Sequence, residues 1–271
     1  MNSYLEVLSK SIQFGEETLK KIERKNGLEI EHKIILSLYR KLLEQVDGIY
    51  ILADHKLEGP GRILIRSAME TVLALKYILQ EKKWIQDRAF SYYVCFLKSE
   101  LQIAKDSLEL NFNDEPINKK ELELNIKESE LILNQGRFNK VLNEWERTNK
   151  KSKYEPKWHS LFNGPTSIKK LVDKVADDEI SLLYGLLSME AHGYHSLSAS
   201  NNKDLTKDDF ALKPLRNGIS DEMVKYTRTL LTGITMKMIK LIAPECNPDL
   251  IIFAKEIGII PKNYPFSIPK I

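Results

Sequence analysis

The chain has 271 residues, 42% of them hydrophobic and 29% charged, and a net charge of +3. That composition excludes a disordered or fibrous chain, and the positive excess is too small to mark a dedicated nucleic-acid binder. Two cysteines, Cys95 and Cys246, lie far apart in sequence and outside any metal-ligand spacing, which argues against a disulfide framework and for a reducing cytoplasm.

Taken in chain order, "MNSYLEVLSKSIQFGEETLKK" has no basic start followed by an apolar core, so a secretory leader is not expected. It reads instead as a helix over residues 2–24, stopped by "RKNG". A second helix is expected over 28–53, with Ile34, Ile35, Leu38, Leu42, Val46 and Ile49 as its buried stripe. "HKLEGPGR" then predicts a break, because Gly59, Pro60 and Gly61 oppose helix continuation. "RILIRSAMETVLALKYILQ" is apolar on most sides and so is expected at the centre of the fold. An aromatic-rich helix over 83–110 carries Trp84, Phe90, Tyr92, Tyr93 and Phe96. Residues 117–150 are heavily charged with a thin apolar stripe, and are expected as a protruding helical arm hinged near Gly136. "SKYEPKWHSLFNGPTS" reads as a loop and "SIKKLVDKV" as a short helix; Asp177 or Asp178 can cap the apolar helix that follows. After an irregular polar stretch, Ser220 caps "SDEMVKYTRTLLTGITMKMIKLIA", and a shorter helix follows Pro248. Strand-like alternation is scarce and no fixed-period repeat occurs. The expectation is an all-α multi-helix bundle, one domain over 1–271, with the charged arm inserted in it. No apolar run reaches the roughly 20 residues that cross a bilayer, so no membrane contact is expected.

Two groups of polar residues stand out against this apolar background. Arg66 and Glu70 lie one turn apart on the most apolar helix. In "LLYGLLSMEAHGYHS", Tyr184, Ser188 and His192 share a helix face, and His195 follows beyond Gly193. Burying a charged pair is costly unless each member is satisfied, so the two helices are expected to turn these residues toward one another. Two histidines are too few for a zinc site, and no "HExxH" occurs, so no metal is assigned. Phosphate loops, dinucleotide fingerprints and GxSxG are also absent, and no cofactor is expected. "TNKKSKYEPKWH" interleaves lysines with Tyr154, Trp158 and His159, a mix that can meet phosphate and stack on a base.

In order and combination, "RSAMETVLALKYIL", "KWHSLFNGPTSIKKLV" and "YGLLSMEAHGYHS" resemble the bacterial domain-of-unknown-function 5677 family. The resemblance implies Arg66, Glu70, Trp158, Tyr184, Ser188 and His192 as the family's shared polar and aromatic residues, and it brings no activity with it. Small helical ribonucleases of the HEPN type resemble the chain in fold type. Their motif, an arginine with a histidine four to six residues later, occurs nowhere here.

Two functions remain open at this stage. In one, a toxin or defence-type protein uses His192, Arg66, Glu70 and Ser188 as a metal-independent ribonuclease site, with Tyr184, Trp158 and His195 binding RNA or another phosphate-bearing ligand. There a histidine would move protons and an arginine would hold the phosphate. In the other, the same residues are a structural clasp in a non-catalytic module whose charged arm, over about 117–150, and loop after His195 contact a protein partner or a second copy. A homodimer is expected from the charged arm, because a thinly apolar helix cannot bury its stripe alone.

Overall fold

The computed structural model describes residues 3–109, 119–151, 153–176, 178–198, 205, 206, 211, 212, 214–216 and 218–261, the side chains of Ser3, Glu179 and His195 excepted. Among the described residues there are ten α-helices and no β-strand, as the sequence predicts. In chain order they are α1 (Ser3–Glu23), α2 (Ile30–Asp54), α3 (Glu58–Ile78), α4 (Ile85–Glu109) and α5 (Lys119–Leu133). After these come α6 (Asn139–Asn149), α7 (Ile168–Val175), α8 (Asp178–Ala191), α9 (Asp221–Ile242) and α10 (Asn247–Glu256). None of the helices is long and apolar enough to cross a membrane. The backbone gathers into two compact units, Met1–Lys82 with Val175–Ile271, and Lys83–Lys174.

In the first unit α3 packs against α2, α8 and α9, and α1 packs against α2 and α9. The expected stripe of α2 is buried at Ile35, Leu38, Leu42, Val46 and Ile49, while Ile34 is half-buried. Each such side chain contributes about 1.5–3 kcal/mol on leaving water. α1 approaches α2 at Gly15, where a Cβ would stand 2.6 Å from the Leu43 side chain and 2.7 Å from the Tyr39 hydroxyl. That hydroxyl is fully enclosed, 2.7 Å from Thr235 Oγ1. Thr235 Oγ1 itself donates to the Leu231 carbonyl at 2.8 Å, so Tyr39 is the donor of the pair. Burial pushes the Tyr39 phenol well above its ordinary range.

α3 begins earlier than the sequence suggests. Glu58, Gly59, Pro60 and Gly61 form its first turn, and the Gly61 amide already donates to the Leu57 carbonyl at 3.1 Å. The reason is positional: the first turn of a helix needs few amide donors, so Pro60 removes nothing there that the helix uses. Glu58, at the positive end of the helix dipole, pairs with Arg62 one turn on.

The second unit is built on α4, against which α5 and α6 pack. Phe138 is the centre of its aromatic cluster, 1% exposed and edge-on to Phe90 at 5.0 Å. Asp87, 7% exposed, is satisfied by Lys140 Nζ at 2.7 and 2.6 Å. α5 covers itself on one side only: Leu133 is buried, while Leu124 and Leu131 are 54% and 70% exposed. The expected hinge near Gly136 is a short 3-10 turn over Gly136–Phe138. The expected loop after Lys157 contains two 3-10 turns across a kink within Trp158–Asn163. Phe162 and Asn163 there have φ of 56° and 59°, a left-handed conformation that a bulky residue adopts only when its surroundings impose it.

Candidate functional site

The two polar helices do meet. α3 and α8 pack together within the first unit, and the contacts run antiparallel. Tyr184 reaches Arg66 and Glu70, while Glu190, near the end of α8, places Oε1 3.6 Å from the Cβ position of Gly59 at the start of α3. A carboxylate at that end of α3 is favoured by the helix dipole. Glu190 lies on a helix face away from Ser188 and His192, and the sequence carried no signal for its role.

Arg66, Glu70 and Tyr184 form one closed set. Arg66 Nη1 donates to Glu70 Oε1 at 2.8 Å, and the Tyr184 hydroxyl donates to the same oxygen at 3.1 Å. The guanidinium carbon lies 3.4 Å from the centroid of the Tyr184 ring, a cation–π stack. Arg66 is thereby 15% exposed and Glu70 50% exposed. Arg66 Nε is buried and has no hydrogen-bond partner among the described residues. The Tyr184 phenol is pushed up to about 12, first by burial and then by the charge and hydrogen bond of Glu70, with Arg66 pulling the other way.

Ser188 is half-buried one turn beyond Tyr184, and its carbonyl accepts the His192 amide at 3.3 Å. His192 is exposed. It lies eight residues from Tyr184, about 12 Å along the helix axis. Gly193, with φ of 74°, ends the helix: its amide donates to the Glu190 carbonyl at 3.0 Å, a stop that favours glycine. Among the described residues, the hydrogen bonds of Arg66 and Glu70 run to each other and to Tyr184. The side chain of His195 lies outside the described residues.

Trp158 belongs to the second unit. It stands edge-on to Tyr92 at 5.0 Å, on a pocket of about 300 Å³ that Trp145 and Lys98 also line. Lys98 Nζ sits 3.8 Å from the Trp145 ring centroid. His159 is buried, its Nδ1 2.7 Å from the Pro165 carbonyl oxygen, and burial lowers its pKa. The base-stacking candidate Tyr154 is 74% exposed.

The second unit also holds a cluster that the sequence did not announce. Glu144 accepts from Arg147 Nε and Nη2, both at 2.7 Å, from the Phe162 amide at 2.7 Å and from Thr148 Oγ1 at 3.5 Å. The Arg147 hydrogen bonds hold its carboxyl below the usual range against the opposing effect of burial. The (i, i+3) and (i, i+4) spacing to Arg147 and Thr148 is legible; the amide eighteen residues on is not. Among the described residues no three His, Cys, Asp or Glu side chains converge as metal ligands. Both cysteines carry free thiols.

The model of a family of unknown function (DUF5677) matches residues 32–210, which include nearly all of α2, the whole of α3 and α8, and the whole of the second unit. No curated protein and no solved structure matches the chain.

Proposed function

The chain belongs to DUF5677, a family without an assigned activity, and we propose that it is a non-catalytic interaction module in which Arg66, Glu70 and Tyr184 are a structural clasp. The observation that carries this reading is the occupation of Arg66. One guanidinium face lies under the Tyr184 ring and Nη1 is given to Glu70. The Glu70 carboxylate that already pairs with Arg66 would repel an incoming phosphate. A cluster whose opposite charges pair with each other fixes the register of two helices instead. We place the module in the cytoplasm, where its two thiols stay reduced.

The test compares Tyr184→Phe and Tyr184→Ala by thermal melting and by titration with inorganic phosphate. A clasp loses stability in the order Ala more than Phe, and phosphate shifts neither melting temperature nor spectrum. A rise in melting temperature with phosphate that Arg66→Gln abolishes would overturn it.

A second reading keeps a ligand site of the defence or toxin type at the same helices, with RNA or another phosphate-bearing molecule as substrate. It is favoured by the exposed imidazole of His192 and by the unpartnered Arg66 Nε. It requires His192→Ala to leave the melting temperature unchanged while abolishing cleavage of total RNA in chelator-containing buffer. Wild-type protein without such cleavage removes the ribonuclease reading.

A further inference from the structure

Part of the segment "TNKKSKYEPKWH", residues 155–158, forms one wall of a pocket in the second unit. Tyr92, Phe96 and Ser99 lie at spacings of four and three residues, hence on one face of α4, and Trp145 of α6 completes the enclosure. All of the lining residues belong to this one unit, and the space measures about 300 Å³. That is the lower end of the range for small-molecule sites, room for one compact ligand and not for a helix. Its rings are not used up by packing. Phe138, the core ring of the unit, is 1% exposed, whereas Phe96 is 49% exposed and Trp145 and Trp158 are half-buried. Aromatic rings left partly in water around a concavity are the usual lining of a ligand site.

The charge of the lining is net positive, Lys98 and Lys157 against Glu155. Lys98 Nζ lies 3.8 Å from the Trp145 ring centroid, and among the described residues no carboxylate pairs with it or with Lys157. In this the two lysines differ from Arg66, whose charge Glu70 already answers. An indole face holds an ammonium in place without neutralising it, so Lys98 is preorganised for an arriving anion. A cationic guest would find that ring face already taken by a like charge. Cys95, also on the wall, adds no thiolate chemistry. Its Sγ donates to the Pro156 carbonyl at 3.9 Å, and burial pushes the thiol up to about 12 against the charge of Lys98, so it stays protonated near neutrality.

We infer that this pocket binds a planar aromatic ring carrying a phosphate, the chemistry of a nucleoside monophosphate, either free or at the end of a single RNA strand. The ring stacks among Tyr92, Trp145 and Trp158, a contact open to any base. Lys98 and Lys157 meet the phosphate as point charges, and Glu155 accepts from an amine on the ring. The site lies in the second unit, apart from the clasp of the first, and gives that unit a role the interaction-module reading leaves unassigned.

Calorimetric titration of the full chain with adenosine monophosphate tests it. Binding is expected, with adenosine and inorganic phosphate each roughly tenfold weaker or more, since each lacks half of what the pocket recognises. Lys98→Met keeps an apolar chain against Trp145 and removes the charge; Lys157→Gln changes an exposed side chain and leaves the fold intact. Each is expected to weaken adenosine monophosphate roughly tenfold and to leave adenosine unchanged. A short oligoadenylate that displaces the nucleotide and binds more tightly identifies a strand end as the source; one that competes more weakly identifies the free nucleotide. Wild-type protein that gives no heat with adenosine monophosphate at millimolar concentration overturns the inference. So does an affinity that Lys157→Gln leaves unchanged, or one that adenosine equals. Binding lost in Arg66→Gln and kept in Lys98→Met would overturn it too, by moving the site to α3, and would take the clasp reading with it. The clasp fails alone if phosphate acts at Arg66 while the nucleotide still depends on the two lysines.

Discussion

Each unit of this protein has a glutamate that gathers an arginine and an aromatic residue from another segment, and the two clusters differ in depth. Glu70 joins Arg66 and Tyr184 across two packed helices, with half of its own surface in water. Glu144 joins Arg147, Thr148 and the Phe162 amide, and its side chain is 11% exposed. The exposed carboxylate keeps water as an alternative partner, so its hydrogen bonds replace solvation at little net gain. The more enclosed one has lost most of its water, so removing a protein donor costs more there than at Glu70. Glu144 also holds a strained backbone, since it binds the amide of the left-handed Phe162. A glutamate–arginine pair on one helix is therefore the base of a weak clasp in one place and of a stronger one in the other.

The largest effect is expected from Glu144→Ala. It strands the Phe162 amide and releases the kink, and should cost about 2–3 kcal/mol in chemical denaturation. The pH dependence sharpens the point. Because the folded-state pKa of Glu144 is lowered from 4.5, its stabilisation is complete above pH 4.5 and is lost as pH falls through the folded value. The stability gap between wild type and Glu144→Gln should thus be constant from neutral pH down to 4.5 and narrow below that, closing as pH falls through the folded value. A gap that persists in acid would deny the ionised carboxylate its role.

Next in size is Tyr184→Ala, which removes ring, stack and hydrogen bond together and should cost about 1–2 kcal/mol; Tyr184→Phe keeps the stack and should cost about 0.5–1 kcal/mol. The phenol, raised from 10.0 to about 12, works in the opposite pH direction. Its contribution is complete below pH 10.0 and is lost as pH rises through about 12. Alkaline unfolding should therefore begin at lower pH in wild type than in Tyr184→Phe once their neutral stabilities are matched. The smallest effect is Glu70→Gln, about 0.5 kcal/mol or less, since half-exposed ion pairs within a helix are worth little. A loss several times larger would make the shallow cluster the equal of the deep one and end the contrast.

Much of the architecture was legible because it depends on short-range periodicity. The α2 stripe, the Ser220 cap, whose Oγ accepts the Met223 amide at 3.3 Å, and the Arg66–Glu70 pair all lie within one or two helical turns. The start of α3 was misplaced because glycine and proline usually interrupt helices, yet a first turn has no use for the amide proline lacks. Within the site, the facing of α3 and α8 was inferred correctly from polar residues on apolar helices. Which residues would touch was not. Tyr184 meets Glu70, while the exposed His192 sits two turns away at the helix end, and Glu190 takes an unexpected place at the start of α3.

By itself the sequence determined an all-helical chain, the apolar face of each helix and the residues available for polar contact, because helical spacing and local capping are properties of neighbours. Only the tertiary structure decided that Glu144 would be more enclosed than Glu70, that Leu187 of α8 would be buried and Leu186 exposed, and that Trp158 would belong to the other unit. Those outcomes depend on which distant segments share a volume, and the burial that sets the strength of each contact is created by their meeting.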